Sequence, residues 1–408
     1  MKLDERPAMK DNKENELTEG AMTMKFLHLS DLHLGRQLHR YSLEEEQAEM
    51  LARIQSIAEA EQPGAVLIAG DVYDRSIPPV YATQLLDGFL GKLSKITTVC
   101  LISGNHDSAE RLSFLSGPLA ESGVHISPVY RGSVKPITLH DAHGPVDVWM
   151  LPFVKAATVR PYFPEKTIDS THDAVACAIH HMDIDTNRRN VLLAHQFVAG
   201  GKISGSEESI EYATADVSVG GSDMVDTSIF SPFDYVALGH IHRAQNVGSE
   251  RIRYCGTPMA YDFSEAGMEK SVTVVELNEA GAATIRTIPI PAPRELVEIR
   301  GTFDEITEES AIRQADKGAF THVILTDDAP IPDVMNRLRQ VYPRITHLDW
   351  DNARTRAADD FSVTADASKH TPSSLFQEFF QQMNGAEMTD EQARYVDGLI
   401  RAIWEDNA

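Results

Sequence analysis

The chain contains little cysteine: only Cys100, Cys177 and Cys255 among 408 residues. Three thiols cannot form a dense disulfide framework, and none belongs to a Cys-x-x-Cys pair of the kind that binds zinc. This usage is typical of a reducing compartment, so we expect a cytoplasmic protein.

Long apolar runs are also missing, and no stretch is long enough to cross a bilayer. The first 23 residues are charged and lack the apolar centre of a secretory signal. We interpret residues 1–23 as a disordered extension, as residues left from cloning, or as the product of an upstream start codon. The folded chain is expected to begin at Met24.

Basic charge is scarce, because 37 Lys and Arg face 61 Asp and Glu and give a net charge of −24. Binding nucleic acid by bulk electrostatics needs a basic face. A nucleic-acid role must therefore depend on a local site, on bound cations or on a more basic partner. The alternative interpretation is that the acidic groups only keep the surface soluble.

Short apolar runs bounded by turn residues predict buried strands. Helices expected between the first two runs and after Pro78–Pro79 make this an α/β layered domain. The runs are 25–29, 65–69, 97–102, 190–194 and 234–238. Other segments resemble hairpin strands without intervening helices and predict a second sheet packed on the first. These are 134–139, 146–151, 244–254, 270–277 and 283–288.

The proline-rich sequence IPIPAPRE predicts a domain boundary near residue 290. We expect a first domain at 24–290, and a small α/β domain at 291–350 in the order strand, helix, strand, helix, strand. A polar linker at 351–370 and a helical pair at 371–408 complete the predicted organisation.

Polar residues follow the predicted strands of the first domain, where open α/β sheets place their active sites. In an extended segment alternate residues point to the same side, so the members of each Asp-x-His and His-x-His pair are expected to converge. The candidate ligands are Asp31, His33, Asp71, Asn105, His195, His240 and His242.

Carboxylate, amide and imidazole ligands together favour Mn²⁺, Fe²⁺ or Zn²⁺ over Mg²⁺ or Ca²⁺. Seven ligands suit two ions that share one carboxylate. Two ions about 3.5–4 Å apart can hold the oxygens of a phosphate and lower the pKa of a bridging water, whose hydroxide attacks phosphorus. His106 lies beside Asn105, and we assign it transition-state stabilisation and proton donation to the leaving oxygen.

Each motif has a simpler interpretation when it is taken alone. The GNHD sequence at 104–107 suits a turn, Asp31 suits a helix cap, and His28 or His180–His181 suit packing or surface roles. Five polar clusters, each after an apolar strand, are nevertheless hard to reconcile with chance.

These residues resemble the calcineurin-like metallophosphoesterases, with their D-x-H, G-D, G-N-H-D, H and G-H-x-H blocks. The sequences LSDLHLG at 29–35 and GDVYDR at 70–75 look like the SbcD family of bacterial exonuclease subunits. YCGTP at 254–258 also resembles that family, which more often has G-S-P there. The resemblance implies a four-layer αββα metallophosphoesterase sandwich with a small α/β capping domain and a C-terminal helical pair.

The resemblance also implies a ligand set and an activity. Asp31, His33 and His242 would hold one metal, and Asn105, His195 and His240 the other, with Asp71 bridging. It further implies a Mn²⁺-dependent exonuclease on duplex DNA ends and endonuclease on hairpins. The partner would be an SbcC-like coiled-coil ATPase, in a heterotetramer built on a homodimer that processes DNA ends in repair.

One position departs from the pattern of archaeal and eukaryotic relatives: Asp74 stands where they often have a histidine, as in the bacterial branch. Arg36, His39 or Arg75 are candidates to contact the phosphate instead, although surface salt bridges are the simpler role for each.

The last helices match the family's segment that docks on the ATPase, and their aromatic residues suit helix-on-helix contact. The alternative is that they pack on this chain's own core. The residues are Phe376, Phe379, Phe380 and Trp404.

Two other functions are consistent with the same ligands. The chain could be a phosphatase or cyclic-nucleotide phosphodiesterase for a small substrate, although such enzymes rarely need a capping domain and a terminal helical pair. It could also be a scaffold without chemistry, against which the intact ligands and His106 argue.

Overall fold

The computed structural model describes residues 23–114, 116–199, 224–309, 316–352, 355, 373–374, 376–377, 380–381 and 387–405. The predicted N-terminal extension, apart from Thr23, lies outside these residues, as do most of the predicted linker and most of the first C-terminal helix. None of the helices in the described ranges is long and apolar enough to span a membrane.

Strands and helices alternate along much of the chain. The strands are β1 Met24–Leu29, β2 Gln37–Leu38, β3 Tyr41–Ser42, β4 Ala65–Ala69, β5 Thr98–Ile102, β6 Val124–Ser127, β7 Ile137–Asp141, β8 Gly144–Leu151, β9 Arg189–His195, β10 Tyr235–Gly239, β11 Gln245–Val247, β12 Ser249–Tyr254, β13 Lys270–Leu277, β14 Ala283–Ile290, β15 Leu296–Gly301, β16 Phe320–Leu325 and β17 Ile345–Trp350. The helices are α1 Glu44–Glu61, α2 Val80–Leu93, α3 Ala109–Leu112, α4 Ser116–Ala120, α5 Ala156–Val159, α6 Thr171–His180, α7 Phe303–Thr307, α8 Val334–Val341 and α9 Asp390–Glu405.

The chain divides into two compact units. The first is formed by the residues up to Leu34, by Leu51–Pro258 and by Ser271–Ile290. The second is formed by Gly35–Met50, by Met259–Lys270 and by the residues from Pro291 onward.

The first unit contains two six-stranded sheets, in the orders β14-β13-β1-β4-β5-β6 and β11-β12-β10-β9-β8-β7. Strands β1, β4, β5 and β6 run parallel, and so do β8, β9, β10 and β12. Every residue of β4 and β9 is buried, which is typical of parallel strands that are covered on both faces.

Two hydrophobic clusters define the layers of the first unit. One contains Phe26 and Leu67 of the first sheet together with Val148 and Leu193 of the second, so the sheets pack face to face. The other joins the opposite face of the second sheet to α6, and α2 packs beside β5 on the first sheet. The predicted four-layer αββα sandwich is therefore confirmed.

The prediction of which strands form the second sheet was wrong in part. Segments 270–277 and 283–288 were assigned to it, but β13 pairs antiparallel with β1 in the first sheet and β14 lies beside β13. Conversely, β9 and β10 belong to the second sheet. Apolar patterning identifies a strand, but it carries no information on which neighbour completes its hydrogen bonds.

The second unit contains the parallel sheet β15-β16-β17, interleaved with α7 and α8 in the order that the sequence predicts. Thr302 and Glu305 form a capping box that begins α7. One face of the sheet packs against both helices. The buried core residues are Phe303, Ile306, Val323, Leu325, Leu338, Tyr342 and Ile345.

Leu338 is fully buried in this small core, whereas its neighbour Arg339 is exposed. We expect Leu338→Ala to lower the free energy of unfolding of the second unit by about 2–5 kcal/mol, because the deletion leaves a cavity. Arg339→Ala, the matched control, should change it by less than about 0.5 kcal/mol. Urea unfolding followed by circular dichroism measures both, and equal stabilities would contradict the assigned core.

Candidate metal centre

The predicted ligands all lie in the first unit, at or just beyond the carboxyl ends of five strands. Asp31 and His33 follow β1, and Asp71 follows β4. Asn105 follows β5, and His195 is the last residue of β9. His240 and His242 follow β10.

The structure brings these side chains together as two groups. In each of the sets Asp31, His33, His242 and Asp71, His195, His240, the ligand atoms lie within 4.8 Å of one another. Asn105 joins the second group, because its Oδ1 lies 3.0 Å from His195 Nε2 and 3.0 Å from His240 Nδ1.

Asp71 lies between the two groups. Its Oδ2 is 3.3 Å from His195 Nε2 in one group and 3.9 Å from His33 Nε2 in the other. One carboxylate oxygen therefore faces ligands of both groups, which is the placement that a shared ligand requires.

The backbone at the ligands is not extended. Asp31, His33 and Asp71 have φ angles of 53°, 42° and 49°, and His240 has 106°. The expectation that extended Asp-x-His and His-x-His pairs converge by strand alternation was therefore wrong in its reason. The ligands converge because left-handed turns after the strands redirect the chain, a geometry that residues other than glycine rarely adopt.

Two glycines allow the loops to approach the ligands closely. A Cβ atom on Gly104 would overlap the backbone and the carboxylate of Asp71, and one on Gly239 would overlap the carbonyl of Ala69 and the ring of His195. Glycine is required at both positions because no side chain fits.

Asp107 fastens two of the ligand loops to each other, although sequence reasoning gave it no role. Its carboxylate accepts hydrogen bonds from the backbone N–H groups of Val72 (3.1 Å), Tyr73 (2.9 Å) and Gly104 (2.9 Å). Burial and the nearby charge of Asp71 raise the pKa of Asp107 to about 6. The signal available in the sequence was the acidic residue that ends the GNHD block.

The carboxylate of Asp31 is also held by hydrogen bonds. The Ser30 hydroxyl donates to Asp31 Oδ2, and the backbone N–H of His240 donates to Asp31 Oδ1 over 3.1 Å. Ser30 in turn lies 3.0 Å from Cys255 Sγ. Cys255 of the YCGTP block thus contacts the residue that hydrogen-bonds the ligand Asp31.

Burial and mutual charge set the protonation of the centre. Burial raises the pKa of Asp31. At Asp71 burial also favours the neutral acid, but the surrounding imidazoles, His195 first, hold its pKa below the ordinary range. At His195 burial lowers the pKa, but the neighbouring Asp71 carboxylate outweighs burial and raises the pKa of His195 to about 9. At His240 burial and the neighbouring His195 both act in the same direction and lower the pKa of His240 to about 3.

This donor set fits divalent cations. His33 Nε2 and His242 Nε2 lie only 3.1 Å apart, a separation at which two lone pairs need a proton or a cation between them. Mixed imidazole, carboxylate and amide ligation suits Mn²⁺, Fe²⁺ or Zn²⁺.

His106 is held at the edge of the centre by two hydrogen bonds. Its backbone N–H donates to Asp71 Oδ1 over 2.9 Å, and its Nδ1–H donates to the carbonyl oxygen of Asp74 over 2.9 Å. A carbonyl can only accept, so this contact fixes the proton on Nδ1. The Nε2 atom lies 4.0 Å from Asp71 Oδ2 and faces the ligands.

The three candidate phosphate contacts are divided between the two units. Arg75 is exposed in the first unit, with its guanidinium 3.6 Å from the carboxylate of Asp74. Arg36 and His39 belong to the second unit, where Arg36 lies over the ring of Tyr261 and His39 stacks on His347.

The candidate partner contacts are only partly described. Phe376 is exposed and Phe380 is half-buried, whereas Phe379 and the side chain of Trp404 lie outside the described residues. Thr389 and Gln392 exchange hydrogen bonds at the start of α9 and form a capping box there.

Comparison with known proteins identifies the family. Residues 24–244 match the calcineurin-like phosphoesterase family, and residues 292–384 match the type 5 capsule protein repressor C-terminal domain. A solved structure from Thermus thermophilus aligns with 65% of this chain and 99% of its own length at 11% identity. Its TM-score of 0.35 is too low to support an argument.

Curated relatives extend the match to almost the whole chain. The D subunit of nuclease SbcCD from Staphylococcus epidermidis is 31% identical over 93% of this chain and 99% of its own length. That of Staphylococcus saprophyticus is 30% identical over 94% and 100%. The chain therefore belongs to the calcineurin-like phosphoesterases and, within them, to the family of nuclease SbcCD D subunits.

Proposed function

We propose that this chain is a Mn²⁺-dependent DNA exonuclease and hairpin endonuclease that works with an SbcC-like ATPase in processing DNA ends in the cytoplasm. The observation that carries the proposal is the gathering of the seven ligand residues into two groups with Asp71 between them, and His106 fixed beside Asp71. Family membership along 93% of the chain supports the choice of DNA as the substrate.

Each ion would have its own ligands within this arrangement. Asp31, His33 and His242 would hold one, and Asn105, His195 and His240 the other, with Asp71 shared. When bound, two divalent ions neutralise phosphate charge and lower the pKa of a water molecule.

The chain's own residues would donate the proton and hold the ligand loops in position. His106 in its protonated form donates the Nε2 proton to the leaving oxygen, while the Asp74 carbonyl keeps Nδ1 occupied and the ring oriented. Asp107 keeps the loops that carry Asp71 and His106 at a fixed separation. Rigid support of this kind reduces the cost of reaching the reactive geometry.

We assign a separate role to each proposed domain. A catalytic domain at 24–290 is followed by a capping domain at 291–350, and a linker at 351–370 leads to an ATPase-docking helical pair at 371–408. Tyr395 and Leu399 are exposed on α9, by 70% and 47%, and would join the predicted aromatic residues in docking the partner.

A phosphatase or cyclic-nucleotide phosphodiesterase is the second candidate, since the same ligands would serve a small phosphate ester. Labelled linear duplex and hairpin DNA, p-nitrophenyl phosphate and cyclic AMP should be compared in Mn²⁺. We expect cleavage of both DNAs, abolished by EDTA and restored by Mn²⁺, because both ions are needed for the chemistry. Turnover of the small esters with intact DNA would favour the second candidate.

His106→Gln removes the proposed proton donor without removing a metal ligand. We expect DNA cleavage to fall by about 10²–10⁴-fold, the usual contribution of general acid catalysis. Metal content, measured by elemental analysis after dialysis against Mn²⁺, should stay at the wild-type value. The control is His140→Gln, an exposed histidine of β7, and wild-type cleavage by His106→Gln would remove this residue from the mechanism.

The net charge of −24 leads to a prediction about DNA affinity. We expect weak duplex binding by the isolated chain, and tight, salt-sensitive binding after the ATPase partner is added, because few phosphates can be neutralised by an acidic protein. Fluorescence anisotropy across a salt series measures both. Tight, salt-sensitive binding by the chain alone would contradict a division of labour in which the partner supplies the basic surface.

A further inference from the structure

The sheet of the second unit carries polar side chains on the face opposite its hydrophobic core. Val323 and Leu325 of β16 point into that core, so His322 points to the other face because side chains alternate along a strand. The strand register places Glu298 of β15 beside His322, and His322 beside His347 of β17.

Asp349, two residues beyond His347, completes a compact cluster on this face. His322 Nε2 lies 2.9 Å from Asp349 Oδ2, and His347 Nε2 lies 3.1 Å from Asp349 Oδ1. The ligand atoms of these three residues lie within 4.8 Å of one another, as do those of each ligand group at Asp71.

A second carboxylate, that of Glu298, lies beside the His322 ring. Glu298 Oε2 lies 3.3 Å from His322 Nδ1, at ion-pair distance although not in hydrogen-bond geometry. Histidine ligands of metals usually donate the N–H of the ring nitrogen that does not bind the ion to an acidic or carbonyl group, and Glu298 lies on that side of the His322 ring.

Aromatic contacts restrain the same rings. His39 stacks on His347 with the ring centroids 4.3 Å apart and the planes within 1°, and Phe263 lies 5.2 Å from His322. All these residues belong to the second unit. The imidazoles are therefore held in place before any ligand arrives, which is the preorganisation that a metal site needs.

We propose that His322, His347 and Asp349 form a third metal site, separate from the Asp71 centre, which binds one divalent transition-metal ion such as Zn²⁺. Two imidazoles and a carboxylate are a common zinc set that leaves the fourth position for water or another ligand. His347 and Asp349 are 41% and 52% exposed, so an ion can reach the cluster from solvent. Glu298 and His39 are positioning residues in this site, and the phosphate contact of His39 stays a separate prediction.

The ion would join β16 to β17 through side chains as well as through backbone hydrogen bonds. Because a ligand that binds only the folded state stabilises it, Zn²⁺ should raise the melting temperature of the second unit. The site does not depend on the proposed nuclease function, since none of its ligands belongs to the Asp71 centre.

The test counts bound zinc on the full chain by equilibrium dialysis against Zn²⁺ and elemental analysis. We expect His347→Ala and Asp349→Ala each to bind one equivalent less than the wild type, because both residues are exposed enough for the fold to tolerate their loss. His140→Ala, the matched surface control, should keep the wild-type count. Asp71→Asn should lose zinc from the catalytic centre and keep the additional equivalent.

A second measurement separates binding from folding. Circular dichroism should show the same secondary structure in His347→Ala as in the wild type. Zn²⁺ should raise the melting temperature of the Asp71→Asn protein, and this rise should disappear in the double variant Asp71→Asn/His347→Ala. Equal zinc counts in the wild type, His347→Ala and Asp349→Ala would overturn the proposal and leave the cluster as a hydrogen-bonded network. Loss of DNA cleavage in Asp71→Asn, with the additional zinc equivalent kept, would bear on the catalytic centre alone.

Discussion

The carboxylate of Asp71 is the point on which the catalytic half of this protein depends. It is nearly inaccessible to solvent, it receives the backbone N–H of His106, and it faces imidazoles from both ligand groups. A buried carboxylate is costly unless hydrogen bonds and opposite charge compensate it. The loops from three strands are arranged to supply that compensation, and the same arrangement produces a site for cations.

Much of this centre could be predicted because the ligand residues come in short blocks after apolar strands. Residue type and order were sufficient to select the seven side chains that the structure brings together, and the role of His106 as proton donor stays a prediction. The local backbone could not be predicted in the same way: Asp31, His33 and Asp71 occupy left-handed conformations, which Asp and His adopt more often than other non-glycine residues but still at few positions. Such conformations are imposed by the surrounding loops, so the propensity of the individual residue is too weak to indicate them.

The pairing of strands into sheets could not be predicted from the sequence either. The predicted strand segments of the first domain lie within a few residues of observed strands, although β2, β3 and β6 were not predicted. In addition, β13 joined the first sheet and β9 joined the second. Pairing is decided by long-range contacts that bury both faces of a strand, and a single sequence contains only the local pattern. The cluster of His322, His347 and Asp349 could not be predicted for a related reason, since its residues become neighbours only through the register of parallel strands.

The left-handed ligand residues and the glycines that abut them have a consequence for anyone who would transplant this centre. A conformation of this kind costs about 1–3 kcal/mol at each residue, and it is maintained only by a framework that leaves no alternative. Copying the seven ligands into another sandwich would therefore transfer the donor atoms without their directions. The transferable unit is the set of turns with Gly104, Gly239 and Asp107, and the ligands are what those turns present.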